Sequence, residues 1–502
     1  MLKTILILAS VCLLTPVEVH SQTVPPSTVF QKARTAFAAG DSATALTLME
    51  NVVTAEPKNP EALAWLGFLY VRSGAVEKAV TILEQAIALK PTTPDVGINL
   101  ANALLALPKK TAAQTTRAVS LLEQALKLNP AAFEAYNGLG HTAFRNADYA
   151  KAVAMFRRVT ELNPNDATAY INLGLALSRR GQDTDAIVTL RKAVTIQPTL
   201  IDGWITIAQL EFKTGKNNAA YLTSAKALTL SRKNVDALLI HAQSAAAINR
   251  DEEAQESYGI LADIYVSDDT NAARKSDPSA RYNQGILLVR LNRLADALIA
   301  FEAAAVIDPK HSDTAQNIGT VLYTLTRYPE ALTKFQLAAE YDSKSPAKWR
   351  NVALAAHKTK DVSVEVGALR KAVALDTTDV LSRQLLAPIL VSSGRAADAI
   401  PIYKQLSVLQ PRSAAPLITL ANLLIKQDQL DAALVALKDA TAREPLSAAA
   451  WNNLGVLYER RGQINDAIAS YKAAVKASPN DADAKSNLAR FGKSTTGSPK
   501  PE

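Results

Sequence analysis

Residues 448–481 read AAAWNNLGVLYERRGQINDAIASYKAAVKASPND, and this stretch of 34 residues decides the fold. Its residues Trp451, Leu454 and Tyr458 recur at steps of three and four, which is the period of one helix face. Gly462 follows, where a residue in the left-handed conformation can end the helix without a Cβ clash. The first half of the stretch therefore predicts one short amphipathic helix.

The second half of the stretch predicts another helix, packed against the first. Ala467, Tyr471 and Ala474 form its apolar stripe, and Pro479 ends it because proline lacks an N–H and clashes with the preceding turn. The small residues Gly455 and Ala467 allow the two helices to cross closely, and Tyr471 is large enough to fill the space beside the next pair.

The same unit recurs along nearly the whole chain. Prolines close helical stretches along the chain: Pro57, Pro91, Pro130, Pro164, Pro198, Pro309, Pro411, Pro445 and Pro479. Six of the eight intervals between them are 34 residues or a multiple of 34, and the other two, 39 and 111, exceed such a multiple by five and nine residues. This period gives thirteen units between Pro26 and Asp481, with five extra residues around 108–116 and nine around 266–277. A final helix is expected from Ala482 to Gly492. Below, positions are counted within the repeat, and Pro26 is position 1 of the first.

These residues resemble the tetratricopeptide repeat family over roughly nine-tenths of the chain. The resemblance implies an all-α fold, a right-handed α-solenoid superhelix of about thirteen 34-residue helix-turn-helix repeats plus a C-terminal capping helix. It also implies a concave groove lined mainly by the first helices. Stacking is expected on physical grounds as well, because one helix pair cannot bury both of its apolar faces alone.

The repeats at 201–234 and 235–277 match the pattern least well. Glu211 and Ser224 occupy positions where apolar or aromatic residues are usual, Arg232 replaces the closing proline, and His241 takes a core position. One interpretation is a joint near 266–277, between an N-terminal array (22–277) and a C-terminal array (278–492). The alternative is an ordinary repeat with a longer second helix. The polar segment 493–502 is expected to be disordered.

The bulk composition narrows the possible functions. The formal charge of +8 is spread along the chain of 502 residues rather than gathered in one block, so we expect no nucleic-acid partner. The single cysteine, Cys12, lies in the N-terminal apolar run, so the remaining chain has no disulfide, thiolate nucleophile or cysteine metal ligand.

The N-terminus has the features of an export signal, residues 1–21. Lys3 precedes an apolar run of ten residues, 5–14, and the small-residue pattern at 19–21 places the start of the mature chain near Gln22. We therefore expect a periplasmic or secreted protein without a membrane span once the signal is removed. An uncleaved anchor in the inner membrane and lipidation of Cys12 are the alternatives.

No constellation of residues indicates catalysis, a cofactor or a metal. Residues 138–143, GLGHTA, match a variant of the dinucleotide fingerprint, but that motif works only after a strand, and Gly140 is here a small residue of a predicted helix. The histidines at 141, 241, 311 and 357 fall in four different repeats. We therefore predict that the protein is not an enzyme.

Two sets of residues recur at fixed positions of the first helices. The asparagine row occupies position 6: Asn99, Asn172, Asn283, Asn317, Asn351 and Asn453. An amide both donates and accepts, so such a row can pair with the backbone of an extended peptide. Peptide-binding members of the family that these repeats resemble use asparagines there. The alternative is that each asparagine bonds a neighbouring helix.

The basic row occupies position 13: Arg72, Arg145, Arg179, Lys213, Arg290, Lys358, Lys426 and Arg460. A cation near a helix C-terminus complements the helix dipole, by about 0.3–1 kcal/mol each. The functional interpretation is a cationic rim that attracts anionic polysaccharide or another polyanion.

The predicted function is a non-enzymatic scaffold that binds protein or peptide partners in the groove. Binding of a polyanion through the basic row, within an envelope or export assembly, is the alternative. Trp65 is offset from the usual core position, held by Leu63, so we expect it to face the groove or a partner. Trp204, Trp349 and Trp451 occupy the core position and are expected to pack.

Overall fold

The computed structural model of the chain describes residues 28–89, 93–268 and 270–492. These residues form helices and connecting turns, with one helix pair for each of the thirteen predicted repeats. The predicted all-α fold of helix-pair repeats is therefore confirmed. The predicted signal (1–21) and the predicted disordered tail (493–502) lie outside the described residues.

The helices follow one another in pairs. The first seven repeats contain α1 (Thr28–Ala38), α2 (Ser42–Ala55), α3 (Pro60–Arg72), α4 (Val76–Ala88), α5 (Asp95–Ala106), α6 (Ala112–Leu128), α7 (Phe133–Arg145), α8 (Tyr149–Leu162), α9 (Ala167–Arg179), α10 (Asp183–Ile196), α11 (Ile201–Lys213), α12 (Asn217–Leu230), α13 (Val235–Ala247) and α14 (Asp251–Ser267). A short helix, α15 (Ala272–Lys275), follows α14.

The remaining helices complete six further pairs and the closing helix. They are α16 (Ser279–Arg290), α17 (Leu294–Ile307), α18 (Ser312–Thr324), α19 (Tyr328–Tyr341), α20 (Pro346–Thr359), α21 (Val362–Leu375), α22 (Val380–Ser392), α23 (Ala396–Leu409), α24 (Ala415–Lys426), α25 (Leu430–Arg443), α26 (Ala448–Arg460), α27 (Ile464–Ala477) and α28 (Ala482–Gly492). The closing helix has the bounds predicted from the sequence.

The turn inside twelve of the thirteen pairs depends on one residue in the left-handed region, at position 15. Gly462, predicted for this role from the sequence, adopts it, and five other glycines do the same: Gly40, Gly74, Gly181, Gly215 and Gly394. Their φ values lie between 75° and 86°. In six other repeats a residue with a Cβ takes the same conformation: Ala147, Asn249, Asn292, Thr326, Lys360 and Asp428, with φ between 57° and 61°. The geometry of the turn is thus kept even where the sequence does not favour it.

The two helices of a pair cross closely at position 8. A Cβ added to Gly319 would lie 2.6 Å from the Phe335 ring, and one added to Gly455 would lie 2.6 Å from the Tyr471 ring. The large side chain at position 24 therefore occupies the space that a Cβ at position 8 of the same pair would need. The close crossing at Gly455 was predicted, but Tyr471 was expected to lie beside the next pair. The same pairing recurs at Gly67–Leu83, Gly140–Phe156, Gly174–Leu190 and Gly285–Phe301.

Both insertions lengthen the second helix of their repeat. α6 has 17 residues and begins with a capping box, in which the Thr111 side chain and the Gln114 side chain each bond the other's backbone. α14 also has 17 residues, and α15 occupies part of the connection that follows it.

The described residues divide into two compact units, with the boundary between Ser257 and Tyr258, inside α14. In the C-terminal unit one apolar core runs continuously from Leu288 on α16 to Leu457 on α26. In the N-terminal unit the core forms successive clusters, for example one around Met49 and Trp65 and another around Phe156 and Leu190. The domain boundary proposed from the sequence, at 277, stays a prediction.

Three tryptophans at position 4 hold the connections between repeats. The indole N–H of Trp204 donates to the carbonyl of Pro198 at 2.9 Å, and that of Trp451 donates to the carbonyl of Pro445 at 2.9 Å. Trp349 makes the same bond to Ser343 at 3.1 Å. These half-buried residues therefore pack as expected and also satisfy an acceptor at the end of the preceding repeat.

Candidate binding face of the first helices

The asparagine row lies on first helices in both units, and all six side chains are half-buried. In the C-terminal unit Asn283, Asn317 and Asn351 occupy three consecutive first helices, α16, α18 and α20. In the N-terminal unit the row is interrupted, because Gly138 takes position 6 of α7 between Asn99 and Asn172. The longest uninterrupted part of the row is therefore in the C-terminal unit.

Several of these amides bond the preceding first helix. The Asn317 amide N–H donates to the Tyr282 hydroxyl at 3.2 Å, and the Asn453 amide N–H donates to the Asn422 side-chain oxygen at 3.2 Å. The Asn172 amide nitrogen lies 3.4 Å from His141 Nε2. The row thus links consecutive repeats, as the structural alternative anticipated. Each bond engages one N–H, and a primary amide has a second N–H and a carbonyl oxygen as well. Ligand binding by the row stays a prediction.

Exposed aliphatic side chains accompany the asparagines at position 9. Ile286 on α16 is 37% exposed, Leu354 on α20 is 45% exposed and Val456 on α26 is 41% exposed. Position 9 lies three residues after position 6, so the two sets share one face of each helix. Sequence reasoning missed these residues, although their fixed offset from the asparagines was a usable signal.

The basic row is exposed throughout, and several members are held by intramolecular contacts. Arg460 donates to the Ile425 carbonyl at 3.1 Å and to Asp428 at 2.9 Å. Lys213 pairs with Asp183 at 2.7 Å. The Ile425 carbonyl belongs to the last turn of the preceding first helix, so Arg460 caps a neighbouring helix in addition to its own. Arg145 donates to the Leu105 carbonyl in the same way, at 3.5 Å.

An acidic set at position 2 of the N-terminal unit was also missed. Burial raises the pKa values of Glu61, Asp95 and Glu134, and the Asp95 charge raises that of Glu134 further. These residues lie in the first turns of α3, α5 and α7, where a negative charge complements the helix dipole. α3 and α7 therefore begin with an acidic residue and end with a basic one, Arg72 and Arg145.

The expectation for Trp65 was wrong. Its side chain is only 5% exposed, and its ring packs edge-to-face on Phe30, Phe37 and Phe68 at centroid distances of 5.8–6.3 Å. Arg34 lies over the ring, 5.5 Å from its centroid. The aromatic residues of α1 and α3 bury Trp65 between the first two repeats, so it is not available to a partner.

Glu211, which departs from the repeat pattern, is fully buried and fully engaged. Its carboxylate pairs with Arg191 and accepts a hydrogen bond of 2.8 Å from the Thr223 hydroxyl. A buried carboxylate needs such partners because desolvation penalises an uncompensated charge. The residue is therefore part of the packing between α10, α11 and α12.

Within the residues that the structure describes, no group of three or more His, Cys, Asp and Glu side chains is arranged to hold a metal ion. None of the helices in this part of the chain combines the length and the apolar character that crossing a membrane requires.

Family comparisons match the chain to tetratricopeptide repeats. A model described as the cytochrome c-type biogenesis protein H TPR domain matches residues 42–170. Models described as tetratricopeptide repeat match residues 26–51, 155–188, 270–312 and 418–482. Together these matches cover more than half of the chain. No curated protein matches it.

Several solved structures also match the chain, each at low identity and low TM-score. The APC/C hetero-tetramer Cut9–Hcn1 is 14% identical, with 92% of this chain and 95% of that chain covered and a TM-score of 0.33. MamA from Desulfovibrio magneticus RS-1 is 20% identical, with 35% and 95% covered and a TM-score of 0.30. YrrB, described as a TPR protein with an unusual peptide-binding site, is 21% identical, with 42% and 92% covered and a TM-score of 0.25.

Proposed function

This chain is a tetratricopeptide repeat protein, a scaffold for protein–protein interactions, and we propose that it holds an extended segment of a partner on the first helices of its C-terminal unit. The segment would lie along α16, α18 and α20. The observation that carries the proposal is the pairing of half-buried amides with exposed aliphatic side chains: Asn283 with Ile286 and Asn351 with Leu354.

The chemistry of this face suits a peptide backbone. The amides offer donors and acceptors that do not depend on the partner's side chains, while Ile286 and Leu354 offer apolar contact. The Asn317–Tyr282 bond joins α18 to α16, so neighbouring first helices are close together. Packed helices lie about 8–10 Å apart. A polyproline II segment repeats every three residues, or about 9 Å. An extended ligand of this kind can present one residue in every three to successive repeats.

The test is affinity capture of partners from an extract, comparing the native chain with Asn317→Ala/Asn351→Ala. We expect the double variant to lose most of the captured proteins, because two consecutive amide contacts are removed. Tyr282→Phe is the matched control, since it removes the same intramolecular bond as Asn317→Ala and leaves the amide in place. An unchanged set of captured proteins in the double variant would refute the proposal. Equal loss in Tyr282→Phe would show that packing, not contact with the partner, is responsible.

Binding of a polyanion is the second candidate, and its support is the exposure of the basic row. Within the described residues, Arg179, Lys358 and Lys426 are exposed and take part in no ion pair, side-chain hydrogen bond or ring contact, so these three would carry it. The expected result is binding to alginate that weakens steeply as salt increases, because exposed charges are screened beyond about 10 Å at 0.1 M salt. Binding that is insensitive to salt, or absent, would exclude this function.

We also propose that the protein works outside the cytoplasm, in the cell envelope or beyond it. The support is the sequence of residues 1–21 alone. The mass of the chain purified from its native cell is the test. A start near Gln22 is expected, whereas an intact N-terminus would favour the uncleaved anchor.

A further inference from the structure

Two departures from the repeat pattern, Arg232 and His241, line the same open cleft in the N-terminal unit. The cleft has a volume of about 380 Å³ and is lined by Ala225, Leu228 and Thr229 of α12, by Arg232 of the following connection, and by His241 of α13. The cleft is separate from the asparagine row, and nothing in the proposed function uses it.

A third departure lies beside the cleft. Position 24 carries a large side chain in every repeat except the one that contains Ser224: Met49, Leu83, Leu122, Phe156, Leu190, Tyr258, Phe301, Phe335, Leu369, Tyr403, Leu437 and Tyr471. Ser224 is fully buried and directly precedes Ala225 of the cleft. The loss of side-chain volume at Ser224 and the polar replacements Arg232 and His241 therefore occur at the same place in the array.

The hydrogen bonds around His241 are compatible with the tautomer that leaves Nε2 as an acceptor. The Ser257 hydroxyl lies 2.9 Å from the Glu253 carbonyl, to which it donates, and 3.0 Å from His241 Nδ1. With the hydroxyl proton on the carbonyl, Ser257 Oγ accepts from His241 Nδ1–H. Burial lowers the pKa of His241, with Glu253 opposing, so the ring is neutral near pH 7. Nε2 then has a lone pair, and within the described residues it has no hydrogen-bond partner. His241 as a whole is only 9% exposed.

The cleft thus offers a cation, an acceptor and an apolar wall. Arg232 is exposed and forms no ion pair among the residues that the structure describes. Its guanidinium favours a carboxylate. The wall formed by Ala225 and Leu228 favours hydrocarbon. A carboxyl group that shares one proton with His241 Nε2 satisfies both polar groups at once.

We propose that this cleft binds an apolar carboxylic acid, with its carboxyl group between Arg232 and His241 and its hydrocarbon along Ala225 and Leu228. The acid is either a small free molecule or the carboxyl terminus of a peptide that ends in an apolar residue. Binding a carboxylate takes up one proton, so affinity falls as pH rises. The charged and titratable groups around the ring are Glu253 and Arg250 at the start of α14, Arg232, and Tyr221, whose ring lies 4.7 Å away at a tilt of 33°.

The test is NMR titration of the full chain with hexanoate, following the Cε1–H resonance of His241. Hexanamide, which cannot supply the proton or the charge, is the ligand control. We expect hexanoate to shift the resonance, with an affinity about tenfold or more weaker at pH 8 than at pH 6. Arg232→Gln should weaken binding at least tenfold. Lys233→Gln, which removes an adjacent exposed charge outside the cleft, should leave it unchanged.

The acetylated peptide Ala-Ala-Leu with a free carboxyl terminus separates the two sources. Tighter binding than hexanoate assigns the site to a peptide terminus, and weaker binding assigns it to a free acid. The proposal is overturned if neither acid shifts the resonance, if hexanamide binds as well as hexanoate, or if Arg232→Gln and Lys233→Gln behave alike. None of these results bears on the asparagine row. The inference about the cleft can therefore be refuted without refuting the proposed function.

Discussion

Position 15 has the left-handed backbone conformation in twelve repeats, although only six of them have glycine there. A residue with a Cβ is about 1 kcal/mol or more less stable than glycine in the left-handed region, and β-branched residues suit it least. Thr326, with φ of 61°, is the β-branched member of the set. Thr326→Gly should therefore stabilise the protein by about 1 kcal/mol, measured as a higher midpoint of urea unfolding.

Thr333, in the middle of α19, provides the control for that substitution. Its backbone is helical, so Thr333→Gly should destabilise, by a few tenths of a kcal/mol or more, because glycine is the weaker helix former. If both glycine variants changed the midpoint in the same direction, backbone strain at position 15 would not be the cause.

His141 makes stability depend on pH. Burial lowers its pKa to about 4, and the nearby Arg145 charge contributes. Since the folded pKa lies below the ordinary value of about 6.5, the unfolded chain binds the proton more readily. Stability due to neutral His141 is complete above about pH 6.5 and is lost as pH falls towards 4, by roughly 3 kcal/mol.

The measurement is the urea midpoint between pH 7 and pH 4 for the native chain and for His141→Gln. Glutamine can still accept from Asn172, which lies against His141 Nε2, but it does not titrate. We expect the variant to lose less stability over this range. An identical pH dependence in both proteins would assign the acid sensitivity to other groups.

At the scale of the helix pair, close crossing depends on complementary sizes at positions 8 and 24. Gly319→Ala places a Cβ about 2.6 Å from the Phe335 ring, so it should destabilise by about 1–3 kcal/mol through overpacking. Adding Phe335→Leu should restore much of the loss, because Ala353 with Leu369 and Ala421 with Leu437 already form such pairs. The measurement is a double-mutant cycle in urea, and strictly additive effects would contradict this account.

Features of the pair could be predicted because the sequence repeats them. The turn glycines and the small residues at position 8, such as Gly455, follow from positions that recur in many repeats, so each was supported by several independent examples. The six non-glycine turn residues, by contrast, have no signal of their own. Their conformation is imposed by the helices on either side.

At the scale of the whole molecule, each repeat is stabilised chiefly by its neighbours. The closing helix α28 covers the last pair: Phe491 stacks on Tyr471, Asn487 bonds Asn452 at 2.9 Å and Arg490 pairs with Glu459 at 2.7 Å. Truncation after Asp481 should therefore accelerate amide exchange in α26 and α27, and leave α16 to α20 unchanged.

Truncation after Gly492 is the control, since it removes only residues 493–502 and keeps α28. Faster exchange throughout the C-terminal unit in the longer truncation would show that the unit opens as one cooperative body instead. The amide exchange rate of each helix thus shows how far along the array the loss of one interface destabilises the repeats.

What the sequence could not predict depends on contacts between particular repeats. Periodicity describes the average repeat, so it predicted where the asparagines lie but not that Asn317 would bond Tyr282. It also placed Trp65 away from the core, because the aromatic residues that bury it, such as Phe37, belong to another helix. The cleft beside His241 was likewise a property of two neighbouring repeats.

The indole bonds at position 4 give the molecule its own optical probes. An indole N–H donates to a carbonyl near the end of the preceding repeat in three cases: Trp204, Trp349 and Trp451. The fourth tryptophan, Trp65, is buried and belongs to the second repeat. Opening of a connection would break its indole bond and admit water, which shifts tryptophan emission to the red. Variants that keep one tryptophan would report on the second, sixth, tenth or thirteenth repeat alone. The order in which the array opens can therefore be followed by fluorescence without any added label.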